Sequence, residues 1–138
     1  MRIYLKLLFY AYSFNFLWEN LHAPLYLHYR GGEISELILA RAAAIDALII
    51  FFLIFISRAQ KISKNRTMFI FFFGLAVAII LEKWALATGR WAYGPSMPII
   101  PILNIGLTPA IQLGLLGVVC FKLVFDTKKP PSRAESVK

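Results

Sequence analysis

Four long apolar stretches occupy most of this 138-residue chain. They cover about residues 4–26, 35–57, 67–88 and 100–125. Each is long enough to cross the hydrocarbon core of a bilayer as a helix, which takes roughly 20 residues. The last stretch is the clearest, because no charged residue occurs between Arg90 and Lys122. We therefore predict an all-α integral membrane protein, a four-helix bundle that forms one transmembrane domain over residues 1–126.

The composition excludes most classes of soluble protein. Hydrophobic residues make up 59% of the chain and charged residues only 16%, with a mean hydropathy of +0.68. A soluble domain of this size could not bury so much apolar surface, because small domains have a large surface for their volume. The single cysteine, Cys120, excludes a disulfide within the chain and a cysteine-type zinc site. We expect no cofactor and no nucleic-acid partner.

The distribution of basic residues predicts the topology. The net charge is +8, and most of the 15 Lys and Arg residues lie in three segments. These are the N-terminus, the connection between the second and third stretches, and the C-terminal tail. Because connections rich in Lys and Arg stay in the cytoplasm, we predict both termini inside and a multi-pass protein of the cell membrane. The residues behind the second and third segments are Arg58, Lys61, Lys64 and Arg66, and then Lys122, Lys128, Lys129, Arg133 and Lys138.

Two segments outside the apolar stretches have a distinctive composition, the C-terminal tail and the second outer connection. The tail, residues 127–138, is polar and broken by proline, so we expect it to be disordered in the cytoplasm. The second outer connection, residues 88–98, is rich in aromatic residues, Gly and Pro. Trp84, Trp91 and Tyr93 either form an aromatic belt at the lipid headgroups or shape a lid over an outward-facing pocket.

Polar residues recur at depth in all four apolar stretches. In the first, five polar side chains are spaced three and four residues apart, which places them on one face of a helix. A charged residue at the membrane centre costs roughly 2.5–3.5 kcal/mol, so such residues should face the interior of the bundle. We predict a polar pocket entered from the outer side or from the lipid. Its residues are the five of the first stretch, Tyr12, Asn15, Glu19, His22 and Tyr26, with Arg41, Asp46, Glu82, Asn104 and Gln112 from the others.

The buried acids allow two interpretations. In one, Arg41 pairs with Glu19 or Glu82 in a network that only holds the helices together. In the other, at least one carboxyl is neutral at pH 7 because three acids face a single basic residue, and a neutral acid in an apolar cavity can donate a proton. The second interpretation makes Glu19 or Glu82 a general acid and Asp46 a counter-charge or base. The candidate substrate-binding residues are Asn15, His22, Arg41, Trp84, Arg90, Trp91, Tyr93, Asn104 and Gln112.

A metal site has one weak sequence signal. Glu19 and His22 form a Glu-x-x-His pair of the kind that di-iron bundles use. Those bundles need two such pairs and two further glutamates, which only a homodimer of this chain could supply. We expect no metal.

Short motifs spread along the chain resemble a family of small four-span prokaryotic membrane proteins of unassigned function. This resemblance implies a location in the plasma (inner) membrane of a prokaryote. The motifs are Asn15-Phe16-Leu17-Trp18-Glu19, Pro24-Leu25-Tyr26, Glu82-Lys83-Trp84-Ala85, Gly89-Arg90-Trp91-Ala92-Tyr93, Met97-Pro98, Pro101, Gly106-Leu107-Thr108-Pro109 and Gln112.

The second half of the chain also resembles lycopene cyclase domains, in which an acid precedes a Gly-x-Trp-x-Tyr/Phe segment and a proline follows. Glu82, the segment Gly89–Tyr93 and Pro109 match in that order, but the two glutamates that follow the proline in those domains are absent. Asn15-x-x-Trp18-Glu19 is similar to a segment of fungal meroterpenoid cyclases.

These cyclase resemblances imply a cyclase-like or isomerase-like enzyme that binds or converts a lipophilic, isoprenoid-like molecule. The alternative is a non-enzymatic assembly subunit or a small proton-coupled transporter. The partners expected are membrane lipid, a lipophilic small molecule and, for a symmetric assembly, a second copy of the chain.

Overall fold

The computed structural model describes residues 1–60 and 65–126. Most of this part is helical, and its four long helices are α1 (Arg2–His22), α2 (Glu36–Ala59), α3 (Arg66–Ala87) and α4 (Leu107–Phe125). Three of them, α2, α3 and α4, are long and apolar enough to cross a membrane, with mean hydropathies of 2.5, 2.1 and 1.8. The predictions for Lys61, Lys64 and the tail at 127–138 lie outside the described residues.

The helices run antiparallel in sequence order. Tyr4, at the start of α1, packs against Phe51 in the second half of α2 and Phe125 at the end of α4, with ring centroids 5.8 and 6.2 Å apart. α3 and α4 meet through glycine: a Cβ atom added at Gly74 would lie 2.7 Å from the Cα atom of Gly114. Small residues of this kind let membrane helices approach closely.

Apolar side chains fill the bundle away from the connections. The largest that are fully buried come from α1, α2 and α3, and α4 contributes smaller ones, so the interior is close-packed over this half of the bundle. They include Leu7, Ile50, Ile54, Ile70 and Cys120. The polar residues are displaced toward the other end, where the α1–α2 and α3–α4 connections lie.

Those two connections are paired with each other, which the sequence did not predict. After α1, Pro24 lies in a short 3-10 turn, and the chain continues as strand β1 (Tyr26–Tyr29). Strand β2 (Trp91–Tyr93) pairs with it antiparallel, with Tyr29 opposite Trp91. The prediction of a mainly helical chain with four helices is confirmed, and the connections add short strands to it. The small sheet ties the two halves of the bundle together at this end.

The fourth helix begins later than predicted. α4 starts at Leu107, and a short hairpin of β3 (Ile99–Ile100) and β4 (Ile105–Gly106) occupies the residues before it. Pro101 follows β3 directly and has no N–H to donate, so it favours a turn here. Asn104, in that turn, has a left-handed φ of 53°.

Candidate functional site

A cavity of about 270 Å³ lies at the connection end of the bundle. Glu19 from α1, Asp46 from α2 and Glu82 from α3 all line it, so the three predicted acids meet at one site. Much of the remaining wall is apolar. Its aliphatic side chains come mainly from α2 and α3 and include Ile38, Leu39, Ala42, Ile45, Ala78 and Leu81.

One amide holds two of these acids in place. The Nε2 atom of Gln112 on α4 lies 2.8 Å from Glu19 Oε1, 2.9 Å from Asp46 Oδ2 and 2.9 Å from Asn15 Oδ1. An amide nitrogen carries two hydrogens, so these three oxygens share two donors. Asn15 and Gln112, both predicted to bind at this site, are buried beside the acids. The amide thereby links α1 and α2 to α4.

Glu19 and Asp46 are direct neighbours. One oxygen of each carboxyl lies within 2.9 Å of the same Gln112 Nε2 atom. The other oxygen of Glu19, Oε2, is 3.3 Å from His22 Nε2. His22 is only 6% exposed, and its Nδ1 atom has no hydrogen-bond partner among the described residues. The carboxyls of Asp46 and Glu19 and the imidazole of His22 thus form a cluster of neighbouring titratable groups on one side of the cavity.

Glu82 forms a second group on the opposite side. Its Oε2 atom accepts hydrogen bonds from the Tyr93 hydroxyl and from Trp91 Nε1, the latter at 3.3 Å. The Tyr93 oxygen in turn accepts a hydrogen bond from the Gly106 N–H at 2.9 Å. Burial, and then the hydrogen bond to Glu82, raise the pKa of the Tyr93 hydroxyl, so it remains a neutral donor at physiological pH.

The path of the chain after α3 explains this second group. Gly89 has a φ of 65°, which only glycine adopts without strain, and the chain turns back there toward the cavity. In β2, alternate side chains point to the same face, so Trp91 and Tyr93 both reach Glu82. This arrangement supports the interpretation of the α3–α4 connection as a lid over a pocket.

Arg41 does not form the ion pairs of the first interpretation. Arg41 is exposed and lines the cavity, but among the described residues it makes no salt bridge to Glu19 or Glu82. Arg90 also lines the cavity, and its guanidinium lies 4.2 Å from the ring centroid of Trp84. The helices are therefore linked at this site by Gln112 and not by arginine–carboxylate pairs.

Two predicted pocket residues lie elsewhere. Asn104 is exposed in the β3–β4 hairpin, because the fourth helix starts after it. Tyr12 shares the predicted helical face but is exposed, and its ring stacks on Phe16 of the same helix. Of the other predicted binding residues, Gln112 and Tyr93 contact the acids and Asn15 contacts Gln112. The rest line the cavity.

The sequence analysis placed Tyr26 on a helical face of the pocket and missed His28, and both lie on strand β1. Tyr26 and His28 line the cavity, and the Tyr26 ring lies 5.3 Å from that of His22 and 5.6 Å from that of Tyr93. The alternation in Tyr26-Leu27-His28-Tyr29 is typical of a strand and was the available signal. Tyr26 lies between the two acid groups.

Across residues 1–60 and 65–126, no three His, Cys, Asp or Glu side chains are grouped so that they could hold a metal ion. The site instead offers carboxyl, imidazole and phenol groups beside apolar walls, and these groups can donate, hold and accept protons.

No family model, no curated protein and no solved structure matches this chain.

Proposed function

We propose that this chain is a four-span protein of a prokaryotic cell membrane, with both termini in the cytoplasm, that carries out acid–base chemistry on a lipophilic, isoprenoid-like molecule. One observation carries the proposal: acids from three helices line a single cavity whose other walls are largely apolar. Ionisable residues inside a membrane bundle are costly, and by default they mark a functional site.

The outer surface of the bundle supports the membrane location. Large apolar side chains that are about half exposed or more occur on α2 and α3, where water would penalise them and lipid would not. α1 fits the same bilayer as a fourth span because Asn15 and Glu19 point inward. The exposed side chains include Leu48, Phe52, Phe72, Phe73 and Ile80.

The proposed proton donor is Asp46. Two adjacent carboxylates repel each other when both are ionised, so the Glu19–Asp46 pair is more stable with one proton between its members. His22 beside Glu19 can supply a compensating positive charge, whereas Asp46 has no cation within ion-pair distance among the described residues. This assignment differs from the expectation drawn from the sequence, in which Asp46 was the counter-charge or base.

The proposed proton acceptor is Glu82. Hydrogen bonds from Tyr93 and Trp91 stabilise a carboxylate at this position. A proton from Asp46 that adds to a carbon–carbon double bond creates a carbocation, and the loss of another proton to Glu82 gives a rearranged or cyclised product. The site returns to its starting state when the proton on Glu82 is transferred back to Asp46. The aromatic faces of Tyr26, Trp84 and Trp91 can stabilise the cation during this step.

A comparison of lipid extracts tests the proposal. Cells that lack the protein are complemented with the wild type, Asp46→Asn, Glu82→Gln or the control Glu36→Gln, which alters an exposed acid in the first turn of α2. We expect a lipophilic product that the wild type and the control restore and the two cavity variants do not.

Identical lipid profiles in all strains would contradict the proposal. Proton flux into vesicles that is lost with Asp46→Asn would then identify a proton-coupled transporter instead.

A further inference from the structure

The cavity opens sideways between α2 and α3. Three of its lining residues also face outward: Arg41 is exposed, and Ile45 and Trp84 are 57% and 48% exposed. α2 and α3 pack against each other less extensively than α1 against α2 or α3 against α4. A molecule dissolved in the lipid could therefore reach the acids without passing through water.

The mouth of the cavity carries positive charge. Arg90 lines both the cavity and a neighbouring surface depression, to which Arg30 and Thr88 also contribute. Two of the arginines lie near aromatic rings, Arg90 at 4.2 Å from Trp84 and Arg30 at 5.7 Å from Tyr29.

No acid forms an ion pair with these arginines in the described part of the chain. Arg30, Arg41 and Arg90 have no carboxylate within ion-pair distance there. Glu33 and Glu36, the acids in the nearby connection and the first turn of α2, are exposed and make no ion pair. Arg41 lies within α2, and an exposed guanidinium in a membrane-spanning helix is costly unless it meets a counter-anion.

We propose that the molecule bound at this site is an amphiphile with an anionic head group and an apolar chain. The head group, a phosphate or a carboxylate, binds Arg41, Arg90 and Arg30 at the mouth, and the chain extends between α2 and α3 toward the acids. Guanidinium groups match both anions, since they can donate two parallel hydrogen bonds.

The volume of the cavity limits how much of the chain enters. A volume of 270 Å³ accommodates about nine water-sized groups, which is part of one hydrocarbon chain. The rest of the molecule would remain in the bilayer. This inference rests on the proposed function, because it names the substrate class of the same site.

Binding of short amphiphiles to the full-length protein tests the inference. The protein, in micelles of an uncharged maltoside detergent, is titrated with decyl phosphate, decanoate, decanol, decyltrimethylammonium and inorganic phosphate. Tryptophan fluorescence reports binding, because Trp84 and Trp91 line the cavity. We expect decyl phosphate or decanoate to bind at least about tenfold more tightly than the other three probes, as the charge-assisted hydrogen bonds imply.

Two probe results would overturn the inference. Equal binding of decanol or decyltrimethylammonium would show that the anionic head group does not matter. Equal binding of inorganic phosphate would show that a free anion is bound and that the chain does not matter. The ratio between decyl phosphate and decanoate distinguishes a phosphate head group from a carboxylate.

Arginine variants provide the matched test. Arg41→Gln and Arg90→Gln should each weaken decyl phosphate binding about tenfold, the loss of one charge-assisted hydrogen bond. Arg58→Gln, at the opposite end of α2, should leave it unchanged. Unchanged affinity in both cavity variants would overturn the inference. The salt dependence of binding needs no variant: the affinity of the wild type for decyl phosphate should fall as the ionic strength rises.

The binding assay separates this inference from the acid–base proposal. No turnover is needed, so binding of decyl phosphate is measured independently of any acid–base step. Normal binding with unchanged lipid profiles would contradict only the acid–base chemistry. Acid-dependent lipid profiles without binding of an anionic amphiphile would contradict only the inference about the head group.

Discussion

Replacing Gln112 with leucine removes the amide that joins three helices. Its Nε2 atom lies within 2.9 Å of oxygens from Asn15, Glu19 and Asp46, and its two hydrogens allow two full hydrogen bonds. Hydrogen bonds between membrane helices are worth about 0.6–2 kcal/mol each, so Gln112→Leu should lower the free energy of unfolding by about 1–4 kcal/mol. The loss should lie toward the upper end because buried acceptors remain unpaired.

The assay is reversible unfolding in detergent micelles, with helicity measured as denaturant is increased. Asn20→Leu is the matched control, because the Asn20 side chain donates to the Phe16 carbonyl of its own helix at 2.9 Å and joins no other helix. We expect the control to lose less than about 1 kcal/mol, because Asn20 is partly buried and bonds only within its own helix. If Gln112→Leu falls within the same range as the control, the amide does not hold the site together.

Two further predictions concern the helix contact and the lid. A Cβ atom at Gly114 would lie 2.6 Å from the Phe71 carbonyl oxygen, so Gly114→Ala should cost about 1–3 kcal/mol in the same assay. Gly32→Ala, where the nearest atom is 3.7 Å away, should cost little. The raised pKa of Tyr93 means that its stabilising effect is complete below about pH 10 and is lost as the pH rises through that raised value. Ultraviolet titration should therefore show equal phenolate absorbance for wild type and Tyr93→Phe just above pH 10; a deficit in the variant there would contradict the burial of this hydroxyl.

The helices and the polar face of α1 could be predicted because both depend on local patterns. Hydropathy placed α3 within a residue of its observed bounds, Arg66–Ala87. The spacing of Asn15, Glu19 and His22 placed them on one face, and all three contact the site. The free-energy cost of inserting a charged side chain into a membrane then predicted that Asp46 and Glu82 also face the interior of the bundle.

The strand pairings and the contacts between the acids could not be predicted, because they depend on parts of the chain that are distant in sequence. Strands β1 and β2 lie in two connections separated by two helices, and no local pattern shows that these two segments pair. The β3–β4 hairpin contains Ile99, Ile100 and Ile102, whose hydropathy cannot be told from that of a membrane span. Which acid pairs with which is also set by packing, since Gln112 is far from Glu19 and Asp46 in sequence.

The proposed chemistry requires the Glu19–Asp46 pair to keep a proton inside the cavity at neutral pH. Infrared spectroscopy measures it directly, because a protonated carboxyl absorbs apart from a carboxylate. We expect a protonated-carboxyl band in the wild type at pH 7 that disappears in Asp46→Asn and persists in Glu82→Gln. A wild type without that band, or a band that only Glu82→Gln removes, would contradict the account.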